Sequence, residues 1–149
     1  MATASISLTS TAFEHGGLIP DKFTCDGENT NPPLTIGLLP EGTKTLALIF
    51  EDPDAPMGIY AHWIVWNIAP TDIIKENSRP GISGMNSSGK TGYTGPCPPD
   101  KEHRYFFYLF ALDTDLDLPE VSTKGDLSSS IVNHILGEGI LMGRYDRKR

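Results

Sequence analysis

The sequence predicts a mostly β protein, an antiparallel β-sandwich with one short helix near the C-terminus. Three runs, 44–50, 60–68 and 104–112, are rich in apolar, aromatic and β-branched residues, as strands are. The chain also carries 15 glycines and 12 prolines in 149 residues, which favours many corners. Strands separated by corners, without alternating helices, are typical of a sandwich. Because this length suits one domain, we expect residues 1–149 to form a single domain.

The three long runs are expected at the centre of the sheet. Run 44–50 is almost continuously apolar, which is typical of a strand buried on both faces. Aromatic side chains of the other two runs are assigned to the core, namely Trp63, Trp66, Phe106, Phe107 and Phe110. Weaker candidate strands, flanked by glycine, proline, asparagine or aspartate, are 6–9, 23–24, 34–36 and 140–145.

One segment near the C-terminus has a helical pattern. Thr123 and Asp126 have the spacing of a capping box, in which each side chain bonds the backbone of the other residue. Gly137 and Gly139 are expected to end this helix. Between the cap and the glycines, apolar residues recur at helical spacing at Leu127, Ile131, Val132, Ile135 and Leu136.

The charge of the chain argues against nucleic acid as a partner. A net charge of -7 and a pI near 4.9 would repel phosphates on average. The basic residues at Arg144 and 147–149 are typical of a solvated tail. No run approaches the roughly 20 apolar residues that span a bilayer, and residues 1–5 lack the features of a signal peptide. We therefore expect no stable membrane insertion and a cytoplasmic location.

The two cysteines do not form a recognisable motif. Cys25 and Cys97 are too few for a disulfide framework, and they are not spaced as a redox or zinc pair. We expect both to be reduced, with a single bridge as the open alternative.

Two proline-rich corners each lead to a histidine. The first corner, residues 52–56, reads Asp-Pro-Asp-Ala-Pro and precedes His62. The second corner, residues 92–99, reads Gly-Tyr-Thr-Gly-Pro-Cys-Pro-Pro and precedes His103. Proline restricts its own backbone and that of the residue before it, so each histidine is expected at a rigid rim.

Side chains near these histidines indicate an anion pocket. Imidazoles and phenolic hydroxyls can donate hydrogen bonds, so together they suit a small oxyanion. Asp52 and Asp54 would repel such an anion, and we expect them to act indirectly, by orienting a histidine and keeping it protonated. The alternative is structural, with histidines satisfied inside strands and aspartates forming turns beside proline. Strand alternation places Tyr60, His62, Ile64 and Trp66 on one face, and His103, Tyr105, Phe107 and Leu109 on another.

These motifs resemble the phosphatidylethanolamine-binding protein family, specifically its short bacterial and archaeal branch, the Raf-kinase-inhibitor-like proteins. The likeness rests on both corners with the strings His62-Trp63 and His103-Arg104-Tyr105, and on segments 23–27, 31–34, 46–48 and 143–145. It implies a β-sandwich of Greek-key type with a small cavity at one end for phosphate-like or carboxylate anions. By this resemblance the cavity is lined by Asp52, His62, Gly95, His103 and Tyr105, with Asp54, Pro56 and Tyr60 as neighbouring wall.

Residues around the second histidine carry further expectations. Arg104 points away from His103 and Tyr105, so we expect it to be a structural ion-pair partner. Many relatives of that family have a glycine two positions before the second histidine, where this chain has Lys101 followed by Glu102. These two residues are expected to place charge at the rim.

The resemblance implies a non-enzymatic module that binds a phosphorylated or carboxylated group and modulates a kinase, a protease or another signalling partner. A hydrolase is the first alternative, with His62, His103 and Asp52 as metal ligands or acid-base groups, although no compact metal or nucleophile motif is present. A protease inhibitor is the second, acting through 81–89, a Gly/Ser/Asn-rich segment predicted as a long surface loop. No cofactor and no metal are expected. Since short relatives often pair, a homodimer is also an expectation.

Overall fold

The computed structural model describes residues 3–148, so Met1, Ala2 and Arg149 lie outside the described residues. The expectations about the first five residues and the basic end of the chain therefore fall partly outside them. Within 3–148 the backbone forms nine strands and one α-helix. The elements are β1 Ala4–Ser5, β2 Leu8–Thr9, β3 Leu34–Ile36, β4 Thr45–Asp52, β5 Tyr60–Ile68, β6 Ile73–Ile74, β7 Ile82–Ser83, β8 His103–Leu112, α1 Lys124–Ile131 and β9 Ile135–Tyr145.

The strands form two sheets, which confirms the predicted mostly β sandwich. The larger sheet has six strands in the order β1-β9-β8-β4-β5-β7, and the smaller has three in the order β2-β3-β6. Neighbouring strands are antiparallel except β1 and β9, which are parallel. The main core lies between the sheets, where the rings of Phe50 and Phe107 stack with centroids 3.8 Å apart. Leu127 and Ile131 of α1 cover the other face of the larger sheet.

The three long runs form β4, β5 and β8, adjacent strands of the larger sheet, as predicted. Trp63, Trp66 and Phe107 are at most 2% exposed, which confirms their place in the core. Phe106 and Phe110 are only half-buried, because they lie on the face of β8 opposite Phe107.

Some of the weaker predictions need correction. Residues 23–24 do not form a strand, since a 3-10 turn at Asp21–Phe23 instead places the Phe23 ring in the core. The segment 81–89 is not a free loop, because β7 lies within it and pairs with β5. Within this segment, exposed residues are confined to its end, 87–89. Run 6–9 shortens to β2, 34–36 is β3, and 140–145 is the second half of β9.

The helix begins as predicted but ends early. Thr123 and Asp126 form the expected capping box at its start. The last helical residue is Ile131, and residues 135–136 already belong to β9. Helical spacing of apolar residues therefore continued by chance into a strand. Among residues 3–148, no helix is both long and apolar enough to cross a membrane.

Gly137 and Gly139 lie inside β9 and do not end the helix. A Cβ at Gly139 would lie 2.5 Å from the carbonyl oxygen of Ile6, whose N–H donates to the carbonyl of Glu138 at 2.8 Å. The glycine thus permits a close approach of the N-terminal segment to β9.

Strand β5 departs from strict alternation at His62. Phe50 of β4 pairs with Trp63, while the next residue, Glu51, pairs with Ala61, so His62 is an extra residue in a β-bulge. The His62 ring therefore turns to the face of Phe50, with ring centroids 5.6 Å apart. The prediction of one shared face is wrong, because Ile64 and Trp66 pack on the opposite side of the sheet from Tyr60 and His62.

Cys25 and Cys97 are joined by a disulfide, so the expectation that both are reduced is wrong. Their Cα atoms are 5.5 Å apart although the residues are separated by 72 positions. The N–H of Cys25 donates to the carbonyl of Pro96 at 3.1 Å, which holds the two segments side by side. This contact is made by the tertiary fold, and spacing along the chain does not reveal it.

Candidate functional site

A cavity of about 590 Å³ opens where three strand ends meet. Strand β4 runs antiparallel to both β5 and β8, so its last residue, Asp52, reaches the edge where β5 begins at Tyr60 and β8 begins at His103. Both corners contribute to the walls. The lining residues are Asp52, Ala55, Pro56, Met57, Gly58, Ile59, Tyr60, His62, Ser87, Thr94, Gly95, Cys97, Pro98, Pro99, His103 and Tyr105.

Each histidine of the cavity is held by the corner that precedes the other one. Nδ1 of His62 lies 2.7 Å from the carbonyl oxygen of Thr94 in the second corner. Nδ1 of His103 lies 2.6 Å from Oδ2 of Asp52 in the first corner. This crosswise arrangement brings the two predicted rims into one site, and it places Asp52 against His103, where the orienting role expected for Asp52 requires it.

His62 is a buried imidazole with a neutral partner. A carbonyl oxygen only accepts, so Nδ1 of His62 carries a proton and donates to Thr94, which leaves Nε2 as the nitrogen for a ligand. Burial of the ring, which is 5% exposed, lowers the pKa of His62, and the bond to Thr94 and the charge of Asp52 do not offset this. His62 is therefore neutral near pH 7.

His103 is a buried imidazole between two carboxylates. Its Nδ1 faces Asp52, and its Nε2 lies 2.6 Å from Oδ1 of Asp100. Burial lowers the pKa of His103, but the hydrogen bonds and charges of Asp52 and Asp100 together outweigh burial and raise it. Two acceptor partners require both ring nitrogens to donate, so His103 is an imidazolium in this arrangement.

Tyr105 lies between the two histidines. Its ring centroid is 5.4 Å from that of His62 and 6.3 Å from that of His103. Burial raises the pKa of Tyr105, so its hydroxyl keeps the proton. Among the described residues this buried oxygen has no hydrogen-bond partner. A buried donor without a partner costs free energy, and a ligand oxygen would relieve that cost.

Gly95 shapes the wall of the cavity but does not offer its backbone donor. Its N–H donates to Oδ1 of Asn29 at 2.8 Å, so this backbone donor is already engaged. A Cβ at this position would overlap the carbonyl oxygen of Phe23 and the side-chain oxygen of Asn29. Only glycine fits between these groups and the cavity.

Asp54 is the one predicted site residue that does not line the cavity. Its carboxylate accepts from Nε and Nη2 of Arg104, both at 2.9 Å, and from the backbone N–H of Arg104. This pairing confirms the structural role expected for Arg104, and it lowers the pKa of Asp54 to about 2. A neighbouring open cavity is lined by Asp54, Lys101, Glu102 and Arg104. The charged side chains expected at the rim of the main cavity therefore line this second cavity.

Besides Thr94, whose carbonyl bonds His62, sequence reasoning missed two polar residues of the site. Ser87 lines the cavity, and its Oγ accepts from the N–H of Ala61 at 2.8 Å, which leaves its O–H free to donate. Asp100 completes the shell of His103. An acid three residues before a histidine was the available signal for Asp100, whereas Ser87 is indistinguishable in sequence from neighbouring serine Ser88.

The donor set does not suit a metal ion. Within residues 3–148, no group of three or more His, Cys, Asp or Glu side chains is placed to hold one. Both nitrogens of His103 already bond carboxylates, and His62 bonds a carbonyl through Nδ1. The metal-assisted form of the hydrolase alternative therefore has no ligand set in the described part of the chain.

Sequence comparison identifies the relatives of this chain. The family model described as phosphatidylethanolamine-binding protein matches residues 9–146. A UPF0098 protein of Methanothermobacter thermautotrophicus is 45% identical over 150 residues, covering 95% of this chain and 99% of that protein. Another, of Archaeoglobus fulgidus, is 49% identical over 152 residues. That match covers 96% of this chain but 52% of the relative, so the chain spans about half of that protein's length.

Solved structures give the same result. A phosphatidylethanolamine-binding protein homologue of Chlamydia trachomatis, CT736, superimposes with a TM-score of 0.93 at 40% identity, covering 98% of this chain and 100% of that one. Escherichia coli YbcL, a member of the mammalian PEBP family, superimposes with a TM-score of 0.89 at 28% identity, covering 97% and 100%. The chain belongs to the phosphatidylethanolamine-binding protein family.

Proposed function

We propose that this protein is a non-enzymatic module that binds a small oxyanion, a phosphate, a phosphorylated headgroup or a carboxylate, in the cavity between the two corners. The observation that carries this proposal is the buried hydroxyl of Tyr105, which has no partner among the described residues and belongs to a ring near both imidazoles of the cavity. A ligand oxygen in the cavity would supply the acceptor that the described part of the chain does not.

The charge states of the site define the anion it suits. Tyr105 and Ser87 can donate to bare oxygens, while neutral His62 offers an acceptor at Nε2. An oxyanion that still carries at least one proton, such as a phosphate monoanion, satisfies both kinds of group at once. A fully ionised ligand would instead require His62 to take up a proton.

The wider role follows from the family and stays a proposal. The names of relatives refer to phosphatidylethanolamine, whose headgroup carries a phosphate, so the shared chemistry is a phosphoryl group. We propose that the loaded module modulates a kinase or protease partner. Pairing of two copies remains a prediction, which sedimentation analysis of the purified protein tests.

A cytoplasmic location also remains a prediction. The Cys25–Cys97 bridge is of a kind that persists mainly in oxidising compartments, and it therefore weighs against that location. Alkylation of free thiols in intact cells, followed by mass spectrometry, would show whether Cys25 and Cys97 are reduced, as expected in the cytoplasm, or bridged, as expected in an oxidising compartment.

The histidine NMR signals of metal-stripped protein test the proposal directly. Inorganic phosphate and phosphoethanolamine would be titrated in separate samples, with zinc in a third. We expect either phosphate ligand to shift His62 and His103 together, while zinc requires large excess. Tight zinc binding at both histidines without a response to phosphate would refute the module and favour the hydrolase. A response to phosphoethanolamine alone would assign the headgroup as the ligand.

The substitution Tyr105→Phe separates binding from folding. Because the Tyr105 hydroxyl is buried without a partner, its removal should leave the free energy of unfolding unchanged or raise it, yet weaken phosphate binding about tenfold. Tyr93→Phe is the matched control. The Tyr93 hydroxyl donates to the carbonyl of Phe23 at 2.7 Å and lies outside the cavity lining, so its loss should cost stability but no affinity. Urea unfolding and calorimetric titration with phosphate measure both.

A further inference from the structure

Asp100 stands out as a half-exposed carboxylate bonded to a fully buried histidine. Its side chain is 46% exposed, whereas that of His103 is 0% exposed. His103 lines the cavity, but Asp52 holds one of its ring nitrogens and Asp100 the other. In this arrangement His103 has no N–H left for a ligand, so binding to it requires one carboxylate to leave.

The two carboxylates differ in how firmly they are held. Asp52 ends β4, its side chain is 4% exposed, and its other oxygen accepts from the N–H of Asp54 at 2.7 Å. Displacing it would leave a buried charge without a partner. Asp100 lies in the bend between the second corner and β8, so its carboxylate is hydrated as soon as it turns outward. Asp100 is therefore the group that a ligand can replace.

We propose that Asp100 is a built-in competitor of the ligand: it occupies Nε2 of His103 until an oxyanion displaces it, and so sets the affinity of the cavity for anions. The proposal rests on the function proposed above. It makes Asp100 a residue that tunes the affinity of the site, a role that the resemblance to the family does not assign.

Charge balance favours exchange over addition. Asp52 and Asp100 already place two negative charges on one imidazolium, and His62 contributes none while it is neutral. A ligand that arrived without displacing Asp100 would add a third negative charge to the same group, which is repulsive in a partly dry site. If a singly charged ligand replaces Asp100, the number of negative charges in contact with the His103 imidazolium stays at two.

The other polar groups of the cavity decide which anion gains most from this exchange. A simple carboxylate such as acetate offers His103 the same bond that Asp100 makes, and it competes with a group tethered at high effective concentration. A phosphate monoanion adds oxygens for Tyr105 and Ser87 and a proton for His62, so it gains contacts that Asp100 does not make. The cavity should therefore prefer phosphate over acetate. Since both anions must displace Asp100, removal of Asp100 should tighten the binding of both by the same factor.

The variants Asp100→Asn and Asp100→Ala test the competition. The dissociation constant of inorganic phosphate would be measured at about pH 6, where an imidazole of ordinary pKa is mostly protonated even without Asp100. We expect both variants to bind phosphate about tenfold more tightly than wild type. Asp113→Asn is the matched control, since Asp113 pairs with His134 at 2.8 Å outside the cavity and carries the same charge. Its affinity should equal that of wild type.

The outcomes separate this inference from the function on which it rests. If wild type binds phosphate and both Asp100 variants bind equally or more weakly, competition is refuted and the anion site stands. If neither wild type nor variant binds phosphate or phosphoethanolamine, both proposals fall. A crystal structure of the wild-type phosphate complex adds a direct readout, in which the Asp100 carboxylate should have left Nε2 of His103. A bound phosphate with that bond intact would also refute the competition.

Discussion

His62 and His103 look equivalent in sequence but occupy opposite electrostatic environments. Each follows a proline-rich corner, each is at most 5% exposed, and each lines the same cavity. His62 bonds a carbonyl of the second corner, and burial lowers its pKa. His103 bonds a carboxylate of the first corner and a second one from Asp100, and these raise its pKa despite burial.

The difference teaches that the partner, more than the depth of burial, decides the charge of a buried imidazole. A carbonyl compensates the N–H of a neutral ring but adds no full charge, so desolvation prevails at His62. Two carboxylates supply hydrogen bonds and charge together, so they prevail at His103. The cavity consequently combines one proton acceptor with one imidazolium. This pairing suits a ligand that both donates and accepts.

Removal of the disulfide should have the largest effect and should distinguish the two corners. The second corner is cross-linked to Cys25 through Cys97, whereas the first corner contains no cysteine. Cross-linking across 72 positions should contribute about 4 kcal/mol to the free energy of unfolding, in a model where the bridge restricts the unfolded chain. The double variant Cys25→Ser with Cys97→Ser should lose about that amount in urea unfolding. The same variant should also expose the second corner to faster hydrogen exchange.

Individual amides report which corner loosens. The N–H of Thr94 donates to the carbonyl of His62 at 3.0 Å, and we expect its exchange to accelerate in the double variant. The N–H of Asp54 in the first corner donates to Asp52 at 2.7 Å and should keep its wild-type protection. Equal acceleration at both amides would show that the bridge stabilises the fold as a whole, without a special relation to the second corner.

The pH dependence of the two histidines should sharpen the comparison, because their contributions to stability have opposite signs. The raised pKa of His103 stabilises the fold fully below the ordinary value of about 6.5, and this contribution is lost as pH rises through the folded pKa. The lowered pKa of His62 has no effect above about 6.5 and destabilises the fold as pH falls below that value.

Histidine NMR and urea unfolding from about pH 5 to 8 measure both effects. The ordinary pKa of a histidine is about 6.5. His103 should titrate above this value and His62 below it. In His62→Gln the loss of stability toward acid should shrink, whereas the decline toward alkaline pH should remain. Coincident titration of His62 and His103 would contradict the assignment of opposite environments.

Much of the fold follows from local sequence. The aromatic and β-branched runs gave the centre of the larger sheet, and the spacing of Thr123 and Asp126 gave the start of the helix. The two-residue strands β6 and β7 were not predicted, because so short a segment shows no alternation of apolar and polar residues. The end of the helix escaped because apolar residues at 131 and 135 fit a helix and a strand equally well.

The site was predictable to the extent that it consists of motif residues. The corners, His62, His103 and Tyr105 converge as the resemblance implied. What the sequence does not reveal are the tertiary pairings, namely Thr94 with His62 and Asp100 with His103. The bulge at His62 is also invisible, because an extra residue is defined only by the register of the neighbouring strand.

The smallest expected effect concerns Asp54, which lies in the first corner but does not line the cavity. Asp52 faces the cavity, while Asp54 fastens the corner to β8 through Arg104, a pair with side chains 26% and 54% exposed. Because solvent screens this pair, Asp54→Ala should cost only about 1 kcal/mol of unfolding free energy, and less in high salt. Phosphate affinity should be unchanged. A loss of affinity as large as that of Tyr105→Phe would mean that the fastening of the corner, and not only the residues lining the cavity, positions the anion site.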